Sequence, residues 1–298
     1  MRNILIAVSL LILNTQNPLA QDRFVDVDYS QYYDWFHERS QVGQLYTGGT
    51  TLYTFTENTP VHESPCQQSE VVTQLPLGYP VENIEYTTDY LPEDEIDGYG
   101  DIWYQVKGKR PNGEEFYGYI WGADIAKAWQ KADLYEQATP VFMMLGIASE
   151  PRQSFSDIKA EIKIVDGREL LSQTTVPGLC IFEDCASSAL LRTIPHPTLD
   201  DVKIVEASTM TITCTAGIEK TYFYWNGSSL ELVYHTEITT GEAYAQNAFV
   251  VNQTEAGAHK VLICNYSHEN KNFNPVWDCR EIEAKQDDGD EEKATAAR

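Results

Sequence analysis

Between Glu70 and Ala128 the chain is cut into short apolar runs, each closed by a turn signal. VVTQL and PVENIEY are separated only by Pro-Leu-Gly-Tyr, and Ile102 to Lys107 and Phe116 to Trp121 lie either side of Pro111-Asn112-Gly113. LYTFTEN and TPVHESP precede them with the same texture. Runs of this length, bounded by Gly, Pro and Asn, read as β-strands. Each buries too few side chains to stand alone, so they predict a closed or nearly closed sheet, a small barrel.

The pattern continues downstream. PVFMMLGIA has the unbroken apolar character of a buried strand, and IKAEIKIV-Asp166-Gly167-RELLSQ and TYFYW-Asn226-Gly227-SSLELVY carry hairpin turns. DVKIVEA, MTITC, NAFVV, KVLIC and VWDCREIE add five strand candidates. Good helix formers from Asp124 to Ala138 predict one short linking helix. The fold class expected is therefore all-β: a small barrel plus a second antiparallel β domain, as a sandwich or propeller-like sheets.

Arg2, the apolar stretch Ile4 to Leu13 and Pro18-Leu19-Ala20 read as an export signal. The apolar stretch is too short for a bilayer, which needs about twenty residues. The mature chain is thus expected to be secreted or periplasmic, without membrane insertion. Its formal net charge of −24 repels phosphate backbones and excludes nucleic acid as a natural partner. The expected organisation is a signal peptide over 1–20, an aromatic lead-in over 21–50, the barrel over 51–128, the second β domain over 129–284 and a disordered acidic tail over 285–298. Tyr29, Tyr32, Tyr33, Trp35 and Phe36 in the lead-in are expected to dock on the barrel.

Over 51–128 the order of these pieces resembles a bacterial-type SH3 domain. Leu77-Gly78 with Val81, then Trp103-Tyr104-Gln105-Val106, then Gly118-Tyr119-Ile120-Trp121 fill that family's motifs. The resemblance implies an SH3-like barrel and a peptide or cell-wall glycan as ligand. The chain departs from the family in its acidic insertion TTDYLPEDEIDGYGD and in Thr59-Pro60-Val61-His62, both beside the face that members use for ligands. DVKIVEASTMTITC with TYFYWNGSSLEL resembles the region that follows such domains in exported bacterial proteins of unknown function, and implies no activity.

Six cysteines, Cys66, Cys180, Cys185, Cys214, Cys264 and Cys279, are an even number in an exported chain and point to disulfides. Cys180 with Cys185 would close a short loop, and Cys264 with Cys279 would staple two strands. Cys66 and Cys214 are left to pair with each other or to stay reduced and buried. No Cys/His spacing supports zinc, and Glu93, Glu95, Asp97 and Gly98 match only the middle of a calcium loop, so no metal or cofactor is expected.

The one catalytic alternative is a papain-like cell-wall peptidase. It would use Cys185 as nucleophile, set in Asp184-Cys185-Ala186-Ser187, and His259 as base. A structural spacer without a ligand is the third class. The primary expectation is an exported, non-enzymatic binding protein. Tyr117, Tyr119 and Trp121 alternate along one strand beside Trp103 and near Tyr86. If Phe116 and Ile120 face the core, that row offers a stacking platform for a peptide or sugar.

Overall fold

The computed structural model describes residues 41–86, 95–96, 99–110, 112–132, 134, 141–148, 159–177, 188–195, 203–211, 217–225, 227–239, 245–251, 260–269 and 274–283. The export segment, residues 21–40 of the lead-in, most of the acidic insertion, Cys180, Cys185, Cys214, His259 and the tail over 285–298 lie outside them. Strands make up 65% of the described residues, in several antiparallel sheets, so the chain is all-β.

A single helical turn, α1 (Val42–Leu45), leads into the first sheet. That sheet contains β1 (Thr51–Tyr53), β2 (Thr59–His62), β3 (Val71–Leu75) and β4 (Pro80–Tyr86). The small hairpin β5 (Glu95–Ile96) and β6 (Tyr99–Gly100) follows, then β7 (Trp103–Lys109) and β8 (Glu115–Trp121) return to the sheet. The spatial order is β1-β4-β7-β8-β2-β3. After β8 a 3-10 turn at Gly122–Asp124 redirects the chain back onto β1. There Thr54 bridges Ile125, and the Ala126 N–H donates to the Tyr53 carbonyl at 2.9 Å. The sheet thereby curls around Leu45, Leu52, Val61, Leu75, Val81, Tyr104, Val106, Phe116, Ile120 and Ile125.

The second sheet contains β9 (Ala128–Ala132), β10 (Val141–Ile147), β11 (Ala160–Asp166) and β12 (Glu169–Val176), in the order β12-β11-β10-β9. The third contains β13 (Ser188–Pro195), β14 (Lys203–Thr211), β15 (Gly217–Trp225) and β16 (Leu230–Thr239), in sequence order. A fourth contains β17 (Ala245–Val251), β18 (Lys260–Glu269) and β19 (Asn274–Glu283). Gly167 and Gly227 take φ of +61° and +97° at the two turns where Asp-Gly and Asn-Gly predict hairpins.

The apolar run of β10 is continuous because both of its faces are covered. Val141, Met143, Leu145 and Ile147 pack with Val205, Ala207, Phe223 and Trp225 of the third sheet. Met144, pointing the other way, packs with Phe55, Leu77, Ala126 and Val165 beneath the first sheet. Lys163 of β11 is buried on that second side. Its ammonium donates to the Phe55 carbonyl at 3.1 Å, lies 4.4 Å from the Phe55 ring centroid and is 3.6 Å from Glu161.

Two expectations are corrected. Over Asp124 to Ala132 the predicted helix is replaced by the end of the 3-10 turn and by β9, whose Ala128 to Ala132 pair with Leu145 to Val141; residues 133 and 135–138 lie outside the described residues. The Gln41 side chain extends that pairing: its Oε1 accepts from the Trp129 N–H at 2.6 Å, and its Nε2 donates to the Trp129 carbonyl. Sheet pairing here overrides local helix propensity. DVKIVEA and the start of MTITC also form one strand, β14, continuous from Lys203 to Thr211.

Candidate binding site

Alternation along β8 sends Phe116 and Ile120 into the core of the first sheet and Tyr117, Tyr119 and Trp121 to the opposite side. That second row is graded. Tyr117 is 59% exposed, Tyr119 is half-buried, and Trp121 is 7% exposed. Trp103 sits directly opposite Trp121 on β7 and is 2% exposed. Both indoles join the core shared by the second and third sheets, and Tyr99 meets Trp121 edge-on at 5.7 Å. Trp103 and Trp121 therefore do not join Tyr117 in an open platform, because the chain's own strands cover them. His62, also buried, completes the packing edge-on to Trp103 at 5.4 Å.

The exposed end of the row has a polar frame. Tyr117 lies opposite Lys107, and Lys107 forms a 2.7 Å ion pair with Glu82 across β4. The hydrogen bond that Lys107 donates to Glu82, together with the carboxylate's charge, holds the Lys107 ammonium above its ordinary pKa.

At the covered end, Asp101 organises the junction. Its Oδ2 receives Lys127 Nζ at 2.6 Å and the Tyr99 hydroxyl at 3.1 Å, and its Oδ1 receives the Ile102 N–H at 2.8 Å. A Cβ on Gly122 would stand 2.4 Å from Asp101 Oδ1, so only glycine lets the 3-10 turn pass the carboxylate.

A second group of aromatics lies where β4 ends. Tyr86 of β4 pairs in register with Tyr104 of β7. Tyr46, at the end of α1, meets Tyr86 edge-on at 5.0 Å and Tyr104 at 6.2 Å. Tyr46 and Tyr86 are 43% and 36% exposed, whereas Tyr104 is fully buried. Of this group, only Tyr86 is an expected site residue. Tyr46 and Asn83, which positions it, have no distinguishing sequence signal, since each stands singly among ordinary strand and turn residues.

In the third sheet, Glu206 is buried beneath Arg192, whose Nε and Nη2 donate to Oε2 at 3.1 and 2.6 Å. The Ser208 hydroxyl donates to Oε1 at 3.2 Å. Burial alone would push the Glu206 carboxyl up, but Arg192, Lys220 and these hydrogen bonds outweigh it and hold the pKa below its ordinary value. This arrangement ties strands together and presents no activated nucleophile.

Cys66 is a free, exposed thiol, 2.9 Å from Gln68 Oε1, in a tight loop where Ser64 and Ser69 hydrogen-bond each other. The structure leaves Cys66 at the surface and not buried; Cys214, its expected partner, lies outside the described residues. Cys264 and Cys279 occupy directly opposed positions on β18 and β19. Among the described residues no three His, Cys, Asp or Glu side chains converge to hold a metal ion, and no helix is long and apolar enough to cross a membrane.

Fold and site together define an antiparallel all-β protein with tyrosines exposed on its first sheet. No protein-family model matches the chain, and no match is found among curated proteins or solved structures.

Proposed function

We propose that this chain is an exported, non-enzymatic binding protein whose first sheet recognises a peptide or a cell-wall glycan. The observation that carries the reading is where the aromatic surface lies. Among the described residues, the exposed large aromatics are Tyr46, Tyr86 and Tyr117, all on the first sheet or the turn leading into it. The third sheet, by contrast, buries Tyr222, Phe223, Tyr224 and Trp225. Tyrosine supplies contact area at low conformational cost and keeps a polar tip for the ligand. The resemblance of residues 51–128 to bacterial-type SH3 domains supports the same reading, and Arg2 with Ile4 to Leu13 supports export to a secreted or periplasmic location. The charge of −24 argues against nucleic acid as partner.

The test is co-sedimentation of the full chain with purified insoluble bacterial cell walls, alongside titration with soluble wall-derived peptides. Saturable binding in either arm, reduced by Tyr117→Ala or by Tyr46→Ala, is the expected result. Absence of binding in both arms would leave the spacer reading in its place.

A further inference from the structure

The single turn α1 stands across a joint between two cores. Val42 enters the core shared by the second and third sheets, and Leu45, on the same face of the turn, enters the core of the first sheet. Gln41 clasps the start of the turn. Its N–H donates to the Ala189 carbonyl of β13 at 3.0 Å, and its side chain takes both the N–H and the carbonyl of Trp129 on β9. Asn83 of β4 clasps the end. Its Nδ2 donates to the carbonyls of Leu45 at 2.5 Å and Thr47 at 3.3 Å, the residues on either side of Tyr46.

Most of this segment faces solvent. Gly43, Gln44, Tyr46, Thr47, Gly48 and Gly49 are exposed, and β1 starts only at Thr51, so lifting residues 41–48 unpairs no strand. A helix of four residues is not stable alone, and α1 keeps its shape only while seated. Between it and β1, Gly49 takes φ of +84° directly after Gly48, a conformation glycine adopts without strain and a natural hinge.

We propose that residues 41–48 are a strap, which leaves and re-enters its seat as one unit while the sheets stay folded. Segments with few buried apolar side chains open in this way at a free energy below that of global unfolding. Val42 and Leu45 sit on one turn, so neither anchor leaves without the other, and the clasps at Gln41 and Asn83 open together. Seated, the strap assembles the exposed edge-to-face pair Tyr46–Tyr86. Released, it carries Tyr46 off and leaves Tyr86 without its neighbour. The strap thus switches the aromatic surface at the end of β4, a consequence for ligands that rests on the binding function proposed above.

Hydrogen exchange of the full chain tests the strap with no ligand present, so its failure is distinct from failure of the binding function. Two amides report on it: the Trp129 N–H, held by Gln41 Oε1 at 2.6 Å, and the Leu45 N–H, held by the Gln41 carbonyl at 3.3 Å. Amides of β11, a strand paired on both sides, report global unfolding. In the parent chain Trp129 and Leu45 should be less protected than β11. Their exchange should barely respond to low urea, because release of the strap exposes little surface. Asn83→Ala touches neither Trp129 nor Gln41, yet it should speed exchange at Trp129 by about five- to a hundredfold, the worth of two lost hydrogen bonds. Gln41→Ala should speed exchange at Leu45 over a similar range. Protection of Trp129 equal to that of β11 would show that the segment opens only when the whole chain unfolds, and overturns the strap. Exchange at Trp129 unmoved by Asn83→Ala would mean that the two clasps open independently, and overturns it equally. Should Asn83→Ala fail to fold, exchange at Leu45 in Gln41→Ala decides in the same way.

Discussion

The ammonium of Lys127 lies 2.6 Å from Oδ2 of Asp101, and the two side chains are only 7% and 10% exposed. The pair joins the loop before β7 to the segment between the 3-10 turn and β9, where the first sheet gives way to the second. Removing one partner strands a buried charge, so Lys127→Met should destabilise the fold by about 3–5 kcal/mol. Adding Asp101→Asn should recover part of that loss. Urea midpoints of the two variants check this, and a single variant with a native midpoint would show the pair to be dispensable.

Trp103 and Tyr117 should respond oppositely to truncation. Trp103→Ala opens a hole in the core shared by the second and third sheets and should cost about 3–5 kcal/mol. Tyr117→Ala changes a mostly exposed side chain and should stay within about 0.5 kcal/mol of the parent. Thermal melts of both variants distinguish a covered indole pair from an open platform. Equal losses would mean Tyr117 is as much core as Trp103.

Strand and turn signals made most of the sheet legible. The apolar run of β10 and the Asp-Gly and Asn-Gly turns needed no tertiary information, because local geometry dictates them. Alternation likewise assigned Tyr117 and Trp121 to the side opposite Ile120. What covers that side is a matter of distant strands: Met143 and Phe223, from elsewhere in the chain, share one core cluster with Trp103 and Trp121. The same kind of contact converted the helix-like AWQKA into β9, through β10 and Gln41. Tyr46 was illegible as a site residue because its position depends on Asn83, which reads as one more polar residue in an alternating strand.

Glu206 should contribute to acid sensitivity. Its folded pKa is depressed, so its stabilisation is complete above the unfolded carboxylate value of about 4.3 and is lost as pH falls through the lower folded value. Denaturant midpoints between neutral pH and about pH 2 should fall less steeply at the acid end for Glu206→Gln than for the parent, from a lower starting stability. Parallel curves for the two proteins would show that Glu206 titrates alike folded and unfolded.

Direct opposition of Cys264 and Cys279 across β18 and β19 is the register a cross-strand disulfide needs. Protein purified from an oxidising compartment should yield a linked peptide containing both residues after digestion without reductant. Cys66, exposed and unpaired, should be labelled by a thiol reagent in the same sample. Labelling of Cys264 and Cys279 in the native, unreduced protein would rule the staple out.

On the proposed function, this chain binds its ligand and leaves it unchanged. One mixture tests it: the full chain incubated with soluble cell-wall fragments, with bound fraction and fragment masses followed together over time. Saturable binding with every fragment recovered at its original mass is the predicted result. Progressive cleavage of the fragments, abolished by Cys185→Ser, would contradict it and make the chain a peptidase.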